Sequence, residues 1–129
     1  MNQRLTNGRA ELLGVLTAAP GPLTIAEILD ECPGLAQSSA YRNLVVLESA
    51  GVVHRVVTRD GFARYELTED LTGHHHHLVC EACGRVEDLA AAAGLERALE
   101  RAVTDAHERH GFEVAEHRLD LFGRCADCR

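Results

Sequence analysis

Two Cys-x-x-Cys pairs place the tightest constraint on how this chain can fold. Cys80 and Cys83 lie in the middle of the sequence, and Cys125 and Cys128 lie at its C-terminal end. Four thiolates with this spacing are typical of a closed tetrahedral zinc site. Two disulfides or a redox dithiol are the alternatives, but we expect no secretory leader to send the chain to an oxidising compartment, and a redox pair needs no distant duplicate. We therefore expect structural zinc to hold the end of the chain against its middle.

The charge of the chain is unevenly distributed. Of its 129 residues, 46% are hydrophobic and 26% are charged, as in ordinary globular proteins, and the formal net charge is -7. Residues 1–64 are electrically neutral, so residues 65–129 carry the whole acidic excess, together with every histidine except His54. This favours metal binding in the second half and leaves the first half free to meet DNA phosphates. Because no apolar run reaches the roughly 18 residues of a membrane span, we expect a cytoplasmic protein.

The first half predicts three helices and a hairpin. Leucine spacing indicates a first helix, a capping box at Thr24 begins a second, and Ser38 or Ser39 begins a third. Two β-rich runs, residues 52–58 and 62–67, meet at an Asp-Gly turn. This order is that of a winged helix-turn-helix, whose third helix enters the DNA major groove while the hairpin forms the wing.

The second half predicts a small mixed unit. Strands are expected over residues 74–80 and 85–89, a helix over residues 94–110, and a last strand over residues 112–122. Since roughly 55 residues bury too little apolar surface to fold alone, zinc and dimerisation are both expected to stabilise it.

The predicted fold class is therefore α+β. An N-terminal winged-helix DNA-binding domain over residues 1–68 is followed by a hinge over residues 69–73. A small α/β dimerisation and metal-binding domain, which carries the structural zinc site, then covers residues 74–129.

Four consecutive histidines precede the first cysteine pair. In a strand, successive side chains point to opposite faces, so His74 and His76 form one face and His75 and His77 the other. The run therefore offers two His-x-His chelates back to back, each of which needs two more ligands to form a closed site.

The remaining ligands are predicted from the helix, the last strand and the wing. The His74/His76 face would take Glu100 and His117, with Glu96 as the substitute for Glu100, and the His75/His77 face would take Glu66 and His54. Taken singly, a residue such as Glu100, His117, Glu66 or His54 is more commonly an ordinary surface or core residue. The neighbouring histidines and thiolates are what favour ligation.

These motifs together resemble the ferric uptake regulator (Fur) family of bacterial metal-responsive repressors over nearly the whole chain. Besides both cysteine pairs and the histidine run, the resemblance rests on Thr6-x-x-Arg9, Ser39-Ala40-Tyr41-Arg42-Asn43-Leu44, Ala50-Gly51-Val52-Val53 and Phe122-Gly123-Arg124. It implies a homodimer, structural zinc on the four cysteines, a second metal site at His74, His76, Glu100 and His117, and a sensing site between the domains.

The resemblance is strongest to the zinc uptake regulators (Zur), because no aspartate interrupts the histidine run. It implies a metal-dependent repressor rather than an enzyme, with zinc-responsive control of metal uptake genes through an A/T-rich palindromic operator in double-stranded DNA. Zinc is then expected at the regulatory sites, with iron or manganese as the alternative metals. The alternative functions within the family are those of iron-, manganese- or nickel-responsive regulators and of peroxide sensors.

The sensing site departs from the family pattern at two places. Members often supply a histidine before the second helix, where this chain has Pro22-Leu23, and zinc-sensing members often supply a cysteine late in the wing, where it has Glu66-Leu67-Thr68. His54 and Glu66 are the expected replacements, and the identity of the sensed metal stays open.

Five residues are predicted to contact DNA. Tyr41 and Arg42 would read bases and phosphates, Ser39 would cap the third helix near the backbone, Arg9 would contact phosphate, and Arg4 would enter a minor groove.

Two other classes of function remain open from the sequence. A zinc hydrolase would need an open coordination position and a general base, and the chain has no His-Glu-x-x-His helix. A zinc-ribbon adaptor would explain the cysteines but neither the winged helix nor the histidine run. Cys32 stands apart from both pairs and is expected to be a small buried hydrophobe.

Overall fold

The structure is a computed structural model that describes the backbone of residues 2–129 and all their side chains except those of residues 2–6 and Asp70. The helices are Asn2–Ala18 (α1), Ile25–Glu31 (α2), Gln37–Ser49 (α3), Glu69–Thr72 (α4) and Ala93–His110 (α5). The strands are Leu23–Thr24 (β1), Val53–Val57 (β2), Ala63–Leu67 (β3), His75–Cys80 (β4), Val86–Ala90 (β5) and Asp120–Gly123 (β6). No helix in the described part of the chain combines the length and apolar character of a membrane crossing.

Helices α1 to α3 and the first sheet share one apolar core. Leu12 of α1, Ile28 of α2 and Leu44 of α3 are almost completely buried against one another, and Cys32 belongs to the same core. Full burial of one such aliphatic side chain contributes roughly 1.5–3 kcal/mol. The sheet is antiparallel with the order β1-β3-β2, so the predicted winged helix-turn-helix is present, and β1 adds a short strand that the sequence did not reveal.

Helices α2 and α3 begin in different ways. The capping box predicted for α2 is formed: Glu27 N donates to Thr24 Oγ1 at 3.2 Å, and Thr24 N donates to Glu27 Oε1 at 2.9 Å. The expected serine cap of α3 is wrong, because the helix starts after Ala36, which makes no side-chain capping bond. The extended backbone of Ala36 places its carbonyl to accept from Ala40 N, so Ser39 already lies inside the first turn.

The second sheet is mixed and has the order β5-β4-β6. Strand β4 lies at its centre, antiparallel to β5 and parallel to β6. The predicted last strand is shortened to β6, because residues 112–119 have no ladder partner within the described chain. The apolar side chains of α5 are only partly buried in the described chain, which fits a unit that relies on a second copy to complete its core.

The two halves of the chain touch directly. Asp88 N of β5 donates to Pro20 O at 2.8 Å, and a Cβ placed on Gly21 would lie only 2.3 Å from Val86 O. On the other side, the buried side chain of Arg64 in β3 donates to Gly84 O at 2.7 Å. The segment between the halves, predicted as a polar hinge, contains the single turn of α4 and then Gly73 at φ 83°.

Candidate metal centres and nucleic-acid interface

The structure brings all four paired cysteines together. Their sulfurs lie within 4.8 Å of one another, and Cys83 Sγ is 3.8 Å from Cys125 Sγ. A tetrahedron with Zn–S bonds of about 2.3 Å places neighbouring sulfurs about 3.8 Å apart. The donor set therefore fits zinc, and no disulfide joins the described cysteines.

The turn around Cys80 favours the thiolate that zinc requires. Cys125 N and Cys83 N both donate to Cys80 Sγ at 3.4 Å, and these two hydrogen bonds lower the pKa of the Cys80 thiol to about 6. Hydrogen bonds with the thiols of Cys125, Cys80 and Cys83 raise the pKa of Cys128 to about 12. With the four sulfurs this close together, all four become thiolates only when a bound cation offsets their negative charges.

A second group of donors lies on one face of β4. His74 Nε2 is 2.9 Å from His117 Nε2 and 3.3 Å from Glu96 Oε2, and His76 Nε2 contacts Glu96 Oε1. Three imidazoles and a carboxylate within 4.8 Å form a closed set that could hold zinc, iron or manganese. The hydrogen bond from His76 lowers the pKa of Glu96.

The prediction of Glu100 for this group is not what the structure shows. Glu96 lies in the first turn of α5, beside the histidines, whereas Glu100 lies one turn farther along and is exposed. Four residues of helix advance about 6 Å along the axis, which carries the Glu100 carboxylate out of reach. Glu96, the substitute considered from the sequence, occupies the position instead.

The opposite face of β4 carries a third group. His75 Nε2 lies 3.0 Å from Glu66 Oε2 and 3.3 Å from Asp88 Oδ1. His77 Nε2 lies 3.1 Å from Glu66 Oε1 and 3.7 Å from Asp88 Oδ1. Glu66 comes from the wing and the other three from the second sheet, so this donor set joins the two halves of the chain.

Asp88 was missed by the sequence reasoning, and His54 takes a different place. The turn that follows Cys80 fixes the β4–β5 register, in which His77 pairs with Asp88. Counting residues in both directions from this turn would have predicted the pair. His54 is not part of the donor group but lies behind it, with its Nε2 2.7 Å from Glu66 Oε1. Its contact orients the carboxylate of Glu66 rather than adding a fifth donor to the four already present.

Electrostatics favour an ionised Glu66. Burial alone would raise its pKa, but hydrogen bonds from His54, His77 and His75 outweigh burial and hold the pKa well below its usual range. Burial raises the pKa of Asp88. One firmly ionised carboxylate, a second whose charge is disfavoured until a cation arrives, and two imidazoles form a set suited to a divalent metal.

The face of α3 opposite the core is open to solvent. Tyr41 is 44% exposed and Arg42 is exposed, and together with Arg9 they border a groove of about 430 Å³. Arg9 Nε donates to Oδ1 of the buried Asn43 at 3.2 Å, which ties α1 to α3. The side chain of Arg4 lies outside the described residues, so its predicted role has no structural description.

Comparison with known proteins places these features in a family. The sequence profile of the ferric uptake regulator family matches residues 1–122. The peroxide-responsive repressor PerR of Staphylococcus saprophyticus is 30% identical over 131 residues, which cover 98% of this chain and 82% of that protein.

Solved structures share the fold as well. The ferric uptake regulator Fur of Helicobacter pylori, reported with three functional metal binding sites, matches with a TM-score of 0.73 and 25% identity over 95% of this chain and 79% of that chain. FurB of M. tuberculosis, a zinc uptake regulator, matches with a TM-score of 0.52 and 28% identity over 98% of this chain and 95% of that chain.

Proposed function

The chain belongs to the ferric uptake regulator family, and we propose that within this family it is a zinc-responsive repressor of metal uptake genes. Membership makes it a metal-responsive transcription regulator that binds DNA as a dimer, and not an enzyme. The hydrolase and adaptor interpretations are thereby set aside.

One observation supports the site of regulation: the convergence of Glu66 on His75, His77 and Asp88. These donors belong to the wing and to the second sheet, so only a docked wing completes the set. A bound divalent cation supplies the positive charge that two carboxylates need to remain together. Moving a two-state protein from 1:99 to 99:1 takes about 5.5 kcal/mol, and small structural zinc sites provide roughly 10–16 kcal/mol, so the available energy is sufficient.

The docked wing would fix the orientation of α3, the helix that we propose enters the DNA major groove. In a dimer, two α3 helices held at one separation would enter successive major grooves of a palindromic site, which we propose is A/T-rich. Tyr41 and Arg42 would contact base edges and phosphates, and Arg9, steadied by Asn43, would contact phosphate. The four cysteines would hold structural zinc, and His74, His76, Glu96 and His117 a second metal ion.

Iron or manganese at the sensing site, with a response to peroxide, is the second candidate. Asp88 adds a second carboxylate to a site without sulfur, and such oxygen-rich sets suit iron and manganese as well as zinc. The similarity to a peroxide-responsive repressor points in the same direction.

A titration separates these candidates. Purified dimer that retains its cysteine zinc would be used to select duplexes from a random pool, and binding to the selected duplex would be followed against buffered Zn²⁺, Fe²⁺ and Mn²⁺. Zinc-dependent binding that Glu66→Gln abolishes supports the proposal. Binding that requires Fe²⁺ and is lost after peroxide supports the second candidate, and binding that ignores every metal and chelator refutes both.

A further inference from the structure

We propose that Val45 and Val46 are specificity-determining residues of α3, and that their methyl groups contact the C5-methyl groups of thymines in the DNA major groove. The inference rests on the part of the proposed function that places α3 in that groove. It adds an apolar component to the contacts proposed for Tyr41 and Arg42.

Both valines lie on the solvent face of α3. Val45 is 61% exposed and Val46 is 45% exposed, whereas Leu44 and Leu47 of the same helix are buried in the core. At 3.6 residues per turn, the two valines lie one turn after Arg42 on the same side of the helix. The surface that begins at the start of α3 therefore continues through its middle.

The stability of α3 gives no reason for two exposed valines. Branching at Cβ restricts a valine side chain in a helix and makes it a poorer helix former than alanine, arginine or glutamate. Single exposed apolar residues are common, but Val45 and Val46 adjoin the exposed ring of Tyr41. Such a continuous apolar patch marks a contact surface. The restricted rotamers also present the methyl groups in fixed positions, which lowers the entropy lost on contact.

The charges around this patch point to DNA as the partner. Val45 and Val46 line the groove of about 430 Å³ that Arg9 and Arg42 border, and none of the described residues that line it is acidic. A complementary partner is anionic at its edges and apolar between them. The major groove has this arrangement, with phosphates along its rims and a thymine methyl group on its floor at every A·T pair. The position of α3 as the third helix of a winged helix-turn-helix favours the same partner.

The contact would contribute to the choice of sequence. Among the four bases only thymine carries a C5-methyl group, whereas an arginine bound to phosphate reads no base. Duplexes that the protein selects should therefore contain at least one thymine in each half-site at a position that tolerates no other base.

Replacing thymine with deoxyuridine gives the sharpest test, because it removes only the methyl group and keeps the base pairing. The full-length dimer would select duplexes from a random pool in the metal that supports binding. The selected duplex would then be synthesised with deoxyuridine at one thymine position in both half-sites, and each position would be tested in turn. Loss of one buried methyl group corresponds to about fourfold in affinity, so substitution in both half-sites should weaken binding about 10- to 20-fold at a contacted position.

Protein variants establish which side chains meet the methyl group. When Val45→Ala is combined with Val46→Ala, the thymine and deoxyuridine duplexes should bind within about threefold of each other, as a double-mutant cycle would show. Val57→Ala is the matched control, since it truncates an exposed valine of β2, and it should keep the full preference for thymine. Melting curves would establish that every variant folds as the wild type does.

Two results would overturn the inference. One is a wild-type dimer that binds the thymine and deoxyuridine duplexes equally at every position, and the other is a double variant that keeps the wild-type preference. A preference for thymine that is the same with and without metal would overturn the proposed function instead, while the valine contacts would stand.

Discussion

Replacing Gly21 with alanine should separate the two halves of the chain without unfolding either. The added Cβ would lie 2.3 Å from Val86 O and 2.9 Å from the Cα of Glu87, both backbone atoms that cannot move aside cheaply. The φ angle of Gly21 is not in the left-handed region, so alanine itself is not strained there. The segment must therefore withdraw by about 1 Å to restore ordinary contact distances, since carbon atoms pack at about 3.5–4.0 Å.

The cost can be worked out from the contact that is lost. Withdrawal by this amount breaks the 2.8 Å hydrogen bond from Asp88 N to Pro20 O. Losing such a bond and leaving its donor unpaired costs about 1–3 kcal/mol, and each 1.4 kcal/mol is tenfold in an equilibrium constant. The docked arrangement should thus become roughly 5- to 150-fold less favourable, and zinc affinity of a sensing site that requires docking should fall by a similar factor.

Chelator-competition titration of zinc would measure this loss, and a melting curve would establish that the winged helix remains folded. Gly14→Ala is the control, because a Cβ on Gly14 in α1 meets no atom within 4 Å. If Gly21→Ala binds zinc as tightly as Gly14→Ala does, docking of the halves plays no part in metal binding and the reasoning is refuted.

Three further predictions concern other parts of the chain. Glu96→Gln should weaken metal binding at the second site about tenfold or more, a change of at least about 1.4 kcal/mol, while Glu100→Gln leaves it unchanged; equal effects in a titration would contradict the placement of α5. Cys125→Ser should remove one zinc ion per chain and expose residues 124–129 to protease, as elemental analysis and digestion would show, and retained zinc would exclude the cysteine site. Hydrogen bonds from Arg64 and Thr58 hold the pKa of Asp60 well below its ordinary 3.8, so its stabilisation is present above about pH 4 and is lost as pH falls through the lowered value. Asp60→Asn should accordingly show a weaker loss of stability between pH 5 and pH 2 in acid unfolding of metal-free protein, and an unchanged slope would contradict this.

The sequence predicted those features that depend on neighbours along the chain. The capping box at Thr24 and the opposite faces of His74 and His75 follow from local geometry alone, and both appear in the structure. The start of α3 was placed too late, because a backbone cap at Ala36 leaves no signature in residue type.

Features that depend on how distant segments approach one another were harder to predict. The choice between Glu96 and Glu100 depends on where α5 begins relative to the second sheet, and both carboxylates fit a helical spacing equally well. Predicting Asp88 required the β4–β5 register, and placing β6 beside β4 required a parallel ladder, which no short turn specifies. Residues 112–119 match the pattern of a strand, but a strand forms only where a partner supplies hydrogen bonds.

Because the side chains of β4 alternate strictly between two ligand sets, a change in the length of the histidine run changes which set each imidazole can join. Insertion of a single residue after His75 or after His76 would transfer every preceding imidazole to the opposite donor group, so that both proposed sites would lose ligands together. Insertion of a dipeptide there would keep each imidazole on its own face but would move it about 6–7 Å along the strand, away from its partners. In such a strand, the position of each histidine in the alternation of faces matters as much for metal binding as its identity.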